Sequence, residues 1–285
     1  MRRPYHRCLG PFMAALATLV MVIAARAFAC AGGPPDGGSS GGSTAPASPR
    51  VDHPALIRAL EVTRAVESGR VEVTTAITDL DDEPDPPPGG RLTVARYRVA
   101  FDRRVARVEV EADLSAAELA VSGGDLRAGE VAAGREARRA ARMIAAGGMV
   151  YAQGGPMAAA VGRTPGDWVA VERRAFEDRR PSGDAASLLF DPVGPFGLLA
   201  DTTGDARTVG HDVIRGSLVT HVATSTDAGG SSAPVDAWID ADGVIRRMEI
   251  RLTGAARTGV GRVVSTVELF DIGRPVAITP PRRER

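Results

Sequence analysis

Among the residues able to do chemistry, Cys30 has surroundings that specify a reaction. It closes Ala27-Phe28-Ala29-Cys30 at the end of an apolar run from Phe12 to Ala25, which follows Arg2, Arg3 and Arg7. A basic start, an apolar stretch and small residues before a cut site make an export signal. A cysteine directly after the cut implies cleavage before Cys30 and acylation of its sulfur by a diacylglyceryl group, whose two chains meet the requirement for stable anchoring. A spanning helix would need roughly 20 apolar residues; this run is shorter and is interrupted by Arg26. Ala27 stands where a branched aliphatic is usual, and Phe28 is bulky for its place. The alternative is an ordinary secretory signal cut near Ala29. Cys8 leaves with the signal, so the mature chain holds Cys30 alone and forms no internal disulfide. A free thiol in an oxidising compartment is a liability that acylation removes.

The other polar constellations point to structure. His211, Asp212 and His221 lie close in sequence beside a turn, but a catalytic triad is established by geometry and not by proximity along the chain. Asp240-Ala241-Asp242-Gly243 resembles the start of a calcium loop, yet Arg251 falls at the twelfth position, where a glutamate ligand is needed, so it reads as a hairpin turn. Asp79, Asp81, Asp82, Glu83 and Asp85 form either a weak calcium loop or a solvated one. No serine sits in a Gly-x-Ser-x-Gly elbow and there is no His-Glu-x-x-His. Trp168 and Trp238 are either core residues or the lining of a ligand site.

Composition narrows the classes further. The chain is 44% apolar and 25% charged, with 35 basic and 35 acidic residues, which is ordinary globular material. Removing Arg2, Arg3, Arg7 and Arg26 with the signal leaves 31 basic against 35 acidic residues, a net of −4. That balance argues against a nucleic-acid partner. The chain has no lysine and no asparagine, the mark of a GC-rich genome. Without lysine there is no Walker A loop, Schiff-base enzyme, Ser-Lys pair or protein-kinase fold. The residues imply no cofactor and no enzyme.

Several kinds of element must position these residues. Residues 1–29 are the signal, and residues 30–50 are the acylated cysteine followed by a Gly/Ser/Pro-rich tether with a reach of about 25 Å. Residues 51–285 form one domain. It opens with a helix capped by Asp52, with Leu56, Ala59, Leu60, Thr63 and Val66 at helical spacing and Gly69 as its stop. The period then changes to two, in Val71–Ile77, Ala95–Phe101 and Ala106–Glu111, as in antiparallel strands with one dry face. Further strands are predicted at 143–146, 149–153, 168–173, 208–212, 217–226, 234–240, 244–252 and 263–272. Asp242-Gly243 marks a hairpin, and the segment from Leu114 to Arg139 has no clear period. With few helices to cover the dry face of such a sheet, a curved half-barrel with an apolar interior satisfies the pattern.

Three stretches carry a family resemblance: 209–216 leading to Thr220-His221, Ala237-Trp238-Ile239-Asp240-Ala241-Asp242-Gly243-Val244-Ile245-Arg246-Arg247-Met248, and Leu269-Phe270-Asp271-Ile272-Gly273-Arg274-Pro275-Val276. Met149-Val150-Tyr151 and Gly166-Asp167-Trp168-Val169 add to it. They resemble the actinobacterial lipoproteins grouped as LppX/LprG, related in fold to the lipoprotein carrier LolA. The resemblance implies an α+β fold, a single curved antiparallel β-sheet with a few helices on its concave face. It also implies a cavity for acyl chains, and a role carrying lipid or lipoglycan in the cell envelope from the outer face of the cytoplasmic membrane. In some relatives the fold serves as a sensor or interaction module instead, and no partner protein is indicated. Leu188, Leu189, Phe190, Phe196, Leu198 and Leu199 form the densest apolar cluster after the signal, interrupted by Pro192 and Pro195. Two readings suit it: a helix packed on the sheet, or a mobile lid or cavity wall, since the prolines prevent one long rigid helix.

Overall fold

The computed structural model describes residues 53–78, 92–113, 141–153, 167–178, 184–202, 205–227, 232–252 and 262–281. Helix α1 (His53–Arg64) leads into β1 (Ser68–Ile77), β2 (Leu92–Asp102), a 3-10 turn (Arg103–Val105), β3 (Arg107–Asp113), β4 (Ala141–Ala146), β5 (Met149–Gln153) and β6 (Trp168–Glu172). Then come α2 (Arg173–Asp178), α3 (Asp184–Phe190), a 3-10 helix (Gly194–Asp201), and β7 (Arg207–Ile214), β8 (Ser217–Asp227), β9 (Ser232–Asp240), β10 (Ile245–Leu252) and β11 (Val263–Phe270). The strands form one open antiparallel sheet in the order β6-β5-β4-β3-β2-β1-β11-β10-β9-β8-β7. The architecture is α+β, as expected. Consecutive strands are neighbours except β6 and β7, which lie at opposite edges of the sheet with α2, α3 and the 3-10 helix between them in the chain; the two runs meet where β1 pairs with β11, from Arg70↔Phe270 to Ile77↔Val263.

Alternation assigns the two faces. Val71, Tyr97, Val99, Phe101, Val110, Ala112, Met143, Ala145, Val150, Ala152, Val235 and Ala237 belong to one buried cluster that runs from β5 to β9, with Val171 of β6 packed against it. Among the described residues, α1, α2, α3 and the 3-10 helix Gly194–Asp201 lie on this face. α2 packs on β5 and β6, α3 on β2, β3 and β4, α1 on β10, and the 3-10 helix on β8 and α1. The opposite face carries a lattice of ion pairs, including Arg96–Glu72 at 2.8 Å, Arg215–Glu268 at 2.9 Å and Arg251–Asp236 at 2.8 Å. A second apolar patch on that face, Ile144 and Ala146, is sealed by Ile278 of the C-terminal segment, which is held by Arg107 donating to the Ile278 carbonyl oxygen.

The sheet is coiled. Arg215, in the turn between β7 and β8, lies 3.9 Å from the centroid of the Phe270 ring on β11 and pairs with Glu268 and Glu72. In a flat sheet β8 and β11 would be three strand spacings apart, roughly 14 Å. The hairpin tip therefore leans over the outer face, packing Ile214 and Val219 on Trp238. The turn is possible because Arg215 and Gly216 both adopt positive φ, 48° and 81°, the backbone of a tight two-residue hairpin.

One local expectation is corrected. Gly69 does not stop α1, which ends at Arg64; it lies inside β1. A Cβ there would sit 3.2 Å from the Phe270 carbonyl oxygen and 3.6 Å from the Phe101 ring, so glycine permits the close approach of β1 and β11. The apolar stretch 188–200 is divided between α3 and the 3-10 helix, separated at Pro192, whose ring and missing N–H end the first. Asp52, the acidic segment 79–90 and the segment 114–139 lie outside the described residues.

Candidate functional site

The candidate site is the helix-bearing face with its cover. α1 is fixed to the sheet by its apolar stripe, with Leu56 and Leu60 buried, and by a buried polar stitch. Thr63 Oγ1 donates to the Ala59 carbonyl at 2.7 Å and accepts from the Ile245 N–H at 2.9 Å. That N–H is free of the ladder because β10 bulges at Arg246: Ile245 opposes Ile239 while Arg247 opposes Trp238.

The predicted cavity-wall residues all fall in the cover. Leu188, Leu189, Phe196 and Leu199 are buried in the main cluster, and Phe190 and Leu198 pack against it half-buried. Phe190 meets Phe176 of α2 at 5.9 Å between ring centroids, with the Arg173 guanidinium 4.9 Å over its ring. Val193, between the two cover elements, is also fully buried. The cover is thus three short pieces of six to eight residues, α2, α3 and the 3-10 helix, laid across a broad apolar surface. Its far end is pinned by Thr226, fully buried, whose Oγ1 lies 3.1 Å from the Asp201 carbonyl oxygen. Sequence reasoning missed this threonine, which looks like any other in a strand.

The polar constellations resolve as structural features. His211 opposes Thr220, whereas His221 opposes Gly210, so the two histidines lie on opposite faces of the hairpin. His221 Nε2 lies 2.6 Å from Asp236 Oδ1, and its ring stacks on Trp238 at 4.5 Å. Asp236 also meets Arg251. Asp212 uses its carboxylate to accept from the Val213 N–H at 2.9 Å. The Asp240 carboxylate accepts from the Asp242 and Val244 N–H groups and from Arg246, and Gly243 supplies the positive φ of the turn. Trp168 and Trp238 both sit on the outer face, against the Ile144–Ile278 cluster and the Ile214–Val219 cluster; neither lines the concave side. Among the described residues no three His, Cys, Asp or Glu side chains gather to hold a metal ion. No described helix is long and apolar enough to cross a membrane. Cys30 and residues 31–50 lie outside the described residues.

Among the described residues, two carboxylates are shifted. The Arg104 guanidinium, bonded to Asp102, holds that carboxyl below the ordinary range. Burial alone would raise Glu268, but hydrogen bonds from Arg247 and Arg215 outweigh it and hold it low. Both groups act as structural counter-ions, Asp102 at the β2–β3 turn and Glu268 on the outer face.

No protein family and no curated protein matches the chain. Solved structures do. LprF from Mycobacterium bovis is similar with a TM-score of 0.46 and 15% identity, covering 80% of this chain and 96% of that one. The lipoprotein LppX from Mycobacterium tuberculosis is similar with a TM-score of 0.44 and 16% identity, covering 80% of this chain and 100% of that one.

Proposed function

We propose that this protein is a non-enzymatic lipoprotein, exported and held at the outer face of the cytoplasmic membrane through a diacylglyceryl group on Cys30. It binds acyl chains against its concave apolar face and carries lipid or lipoglycan in the cell envelope. The observation that carries the reading is the contrast between that face, continuous from β5 to β9, and the short, separate pieces that cover it. Lifting the 3-10 helix from the sheet exposes apolar surface at about 25 cal/mol per Å². An acyl chain taking its place recovers about 0.8 kcal/mol per buried CH₂. Opening is therefore unfavourable without lipid and is offset when acyl chains cover the exposed surface, which suits a carrier that opens at a membrane. No specific polar contact is needed, and headgroup selection falls to the rim.

Mass spectrometry of organic extracts from the purified protein tests this. Co-purifying two-chain lipid is the expected result. A second reading is favoured by the burial of Leu189, Val193, Phe196 and Leu199, all at 0–1% exposure: a sensor or interaction lipoprotein whose interior is filled by its own side chains. A protein that never carries lipid, from native membranes or after incubation with vesicles, selects that second reading. Cys30→Ala should leave the protein unacylated and released from membranes; continued membrane partitioning would refute the anchor.

A further inference from the structure

The two ends of the cover are held very differently. At the Asp201 end, Thr202 makes an isolated bridge to Thr226, and the buried Thr226 hydroxyl bonds the Asp201 carbonyl. Losing that bond would leave a polar group unpaired away from water, which is expensive. At the Asp191–Pro192 end the cover is tied to the sheet side through Arg103. Its Nη2 lies 3.5 Å from Asp191 Oδ1, and the two side chains are 37% and 43% exposed. An ion pair so exposed is weak and screened by salt.

Arg103 is nevertheless well placed. It stands in the 3-10 turn after β2, its backbone N–H donates to the Glu67 carbonyl at 2.8 Å, and its guanidinium donates to the carbonyl of Arg64 at the end of α1 while lying 5.7 Å from the centroid of the Phe101 ring. The Arg64 guanidinium in turn closes over Gly197, where an added Cβ would lie 3.2 Å from Nη2. One arginine, rooted in the sheet, thereby joins the β2–β3 turn, the end of α1 and the break in the cover.

We propose that Arg103 and Asp191 form a salt-sensitive latch, and that the segment from Asp191 to Asp201 swings open about its Thr226-pinned end to admit acyl chains. The inference rests on the carrier reading and names the device that gates it. The charge at the bilayer surface, or salt, would weaken the latch without touching the buried pin.

The test is hydrogen exchange by mass spectrometry on the acylated full-length protein, with Asp191→Asn, Asp191→Glu and Thr226→Val. Asp191→Asn should speed exchange across 187–197 about two- to fivefold, the range an exposed ion pair supports. It should also abolish the acceleration that salt produces in the parent, and Asp191→Glu should restore both. Thr226→Val should speed exchange at 198–202 and leave the salt response intact. Unchanged exchange in Asp191→Asn, or a salt response that survives it, overturns the latch. Uptake of a fluorescent long-chain fatty acid is read in parallel. If the parent takes up none, the carrier reading fails, while the exchange data still decide the latch.

Discussion

Replacing Thr63 by valine tests how the cover side is tied to the sheet. The two side chains are nearly the same size, so packing in this fully buried site is preserved. What is lost is the Oγ1 that accepts the Ile245 N–H at 2.9 Å. Ile245 is itself fully buried, and the bulge at Arg246 turns its N–H away from β9, so neither water nor the ladder replaces the partner. A buried donor left unpaired costs about 1–3 kcal/mol. For a domain of this size each kcal/mol lowers Tm by about 2–4 °C, so the expected fall is on the order of 5 °C. Urea unfolding and calorimetry measure it, and hydrogen exchange should show the Ile245 amide losing protection beyond its neighbours. Thr63→Ser keeps the hydroxyl and should retain most of that protection. If Thr63→Val unfolds within about 0.5 kcal/mol of the parent, or the Ile245 amide stays protected, the polar stitch is not what holds α1 to β10.

Gly69→Ala pits two effects against each other. Alanine stabilises by restricting the unfolded chain, worth about 0.4–1 kcal/mol, but its Cβ meets the Phe270 carbonyl oxygen at 3.2 Å, and such overpacking costs about 1–3 kcal/mol. Net destabilisation is expected in denaturant titration, and a gain would refute the close approach of β1 and β11. Glu268 is held below its ordinary range when folded, so the stability it contributes is present above the unfolded carboxylate value, about 4, and fades as pH falls through the lower folded value. Glu268→Gln should flatten the acid limb of a stability–pH curve; an unchanged limb would show that Arg215 and Arg247 do not bias its ionisation.

Much of the sheet is legible locally because alternation has a period of two and each strand carries its own record of which side is dry. Val71–Ile77, Ala95–Phe101 and Val263 onward needed no knowledge of their neighbours, and Asp242-Gly243 announced its hairpin through the φ it must adopt. The apolar character of Leu188, Leu189, Phe196 and Leu199 was likewise plain, as was the break at Pro192. What the chain could not disclose was partnership. The pairing of β1 with β11 joins residues about 190 positions apart, and no local propensity encodes it. Gly69 read as a helix stop because its reason for being glycine is Phe270, remote in sequence. His221 lies near Asp212 in the chain but beside Asp236 in space, and both tryptophans proved to face away from the concave side. Side-chain type and spacing follow from short-range sterics, and these the residues themselves determine. Which surfaces meet depends on how the whole sheet coils and what it buries, and only the tertiary structure decides that.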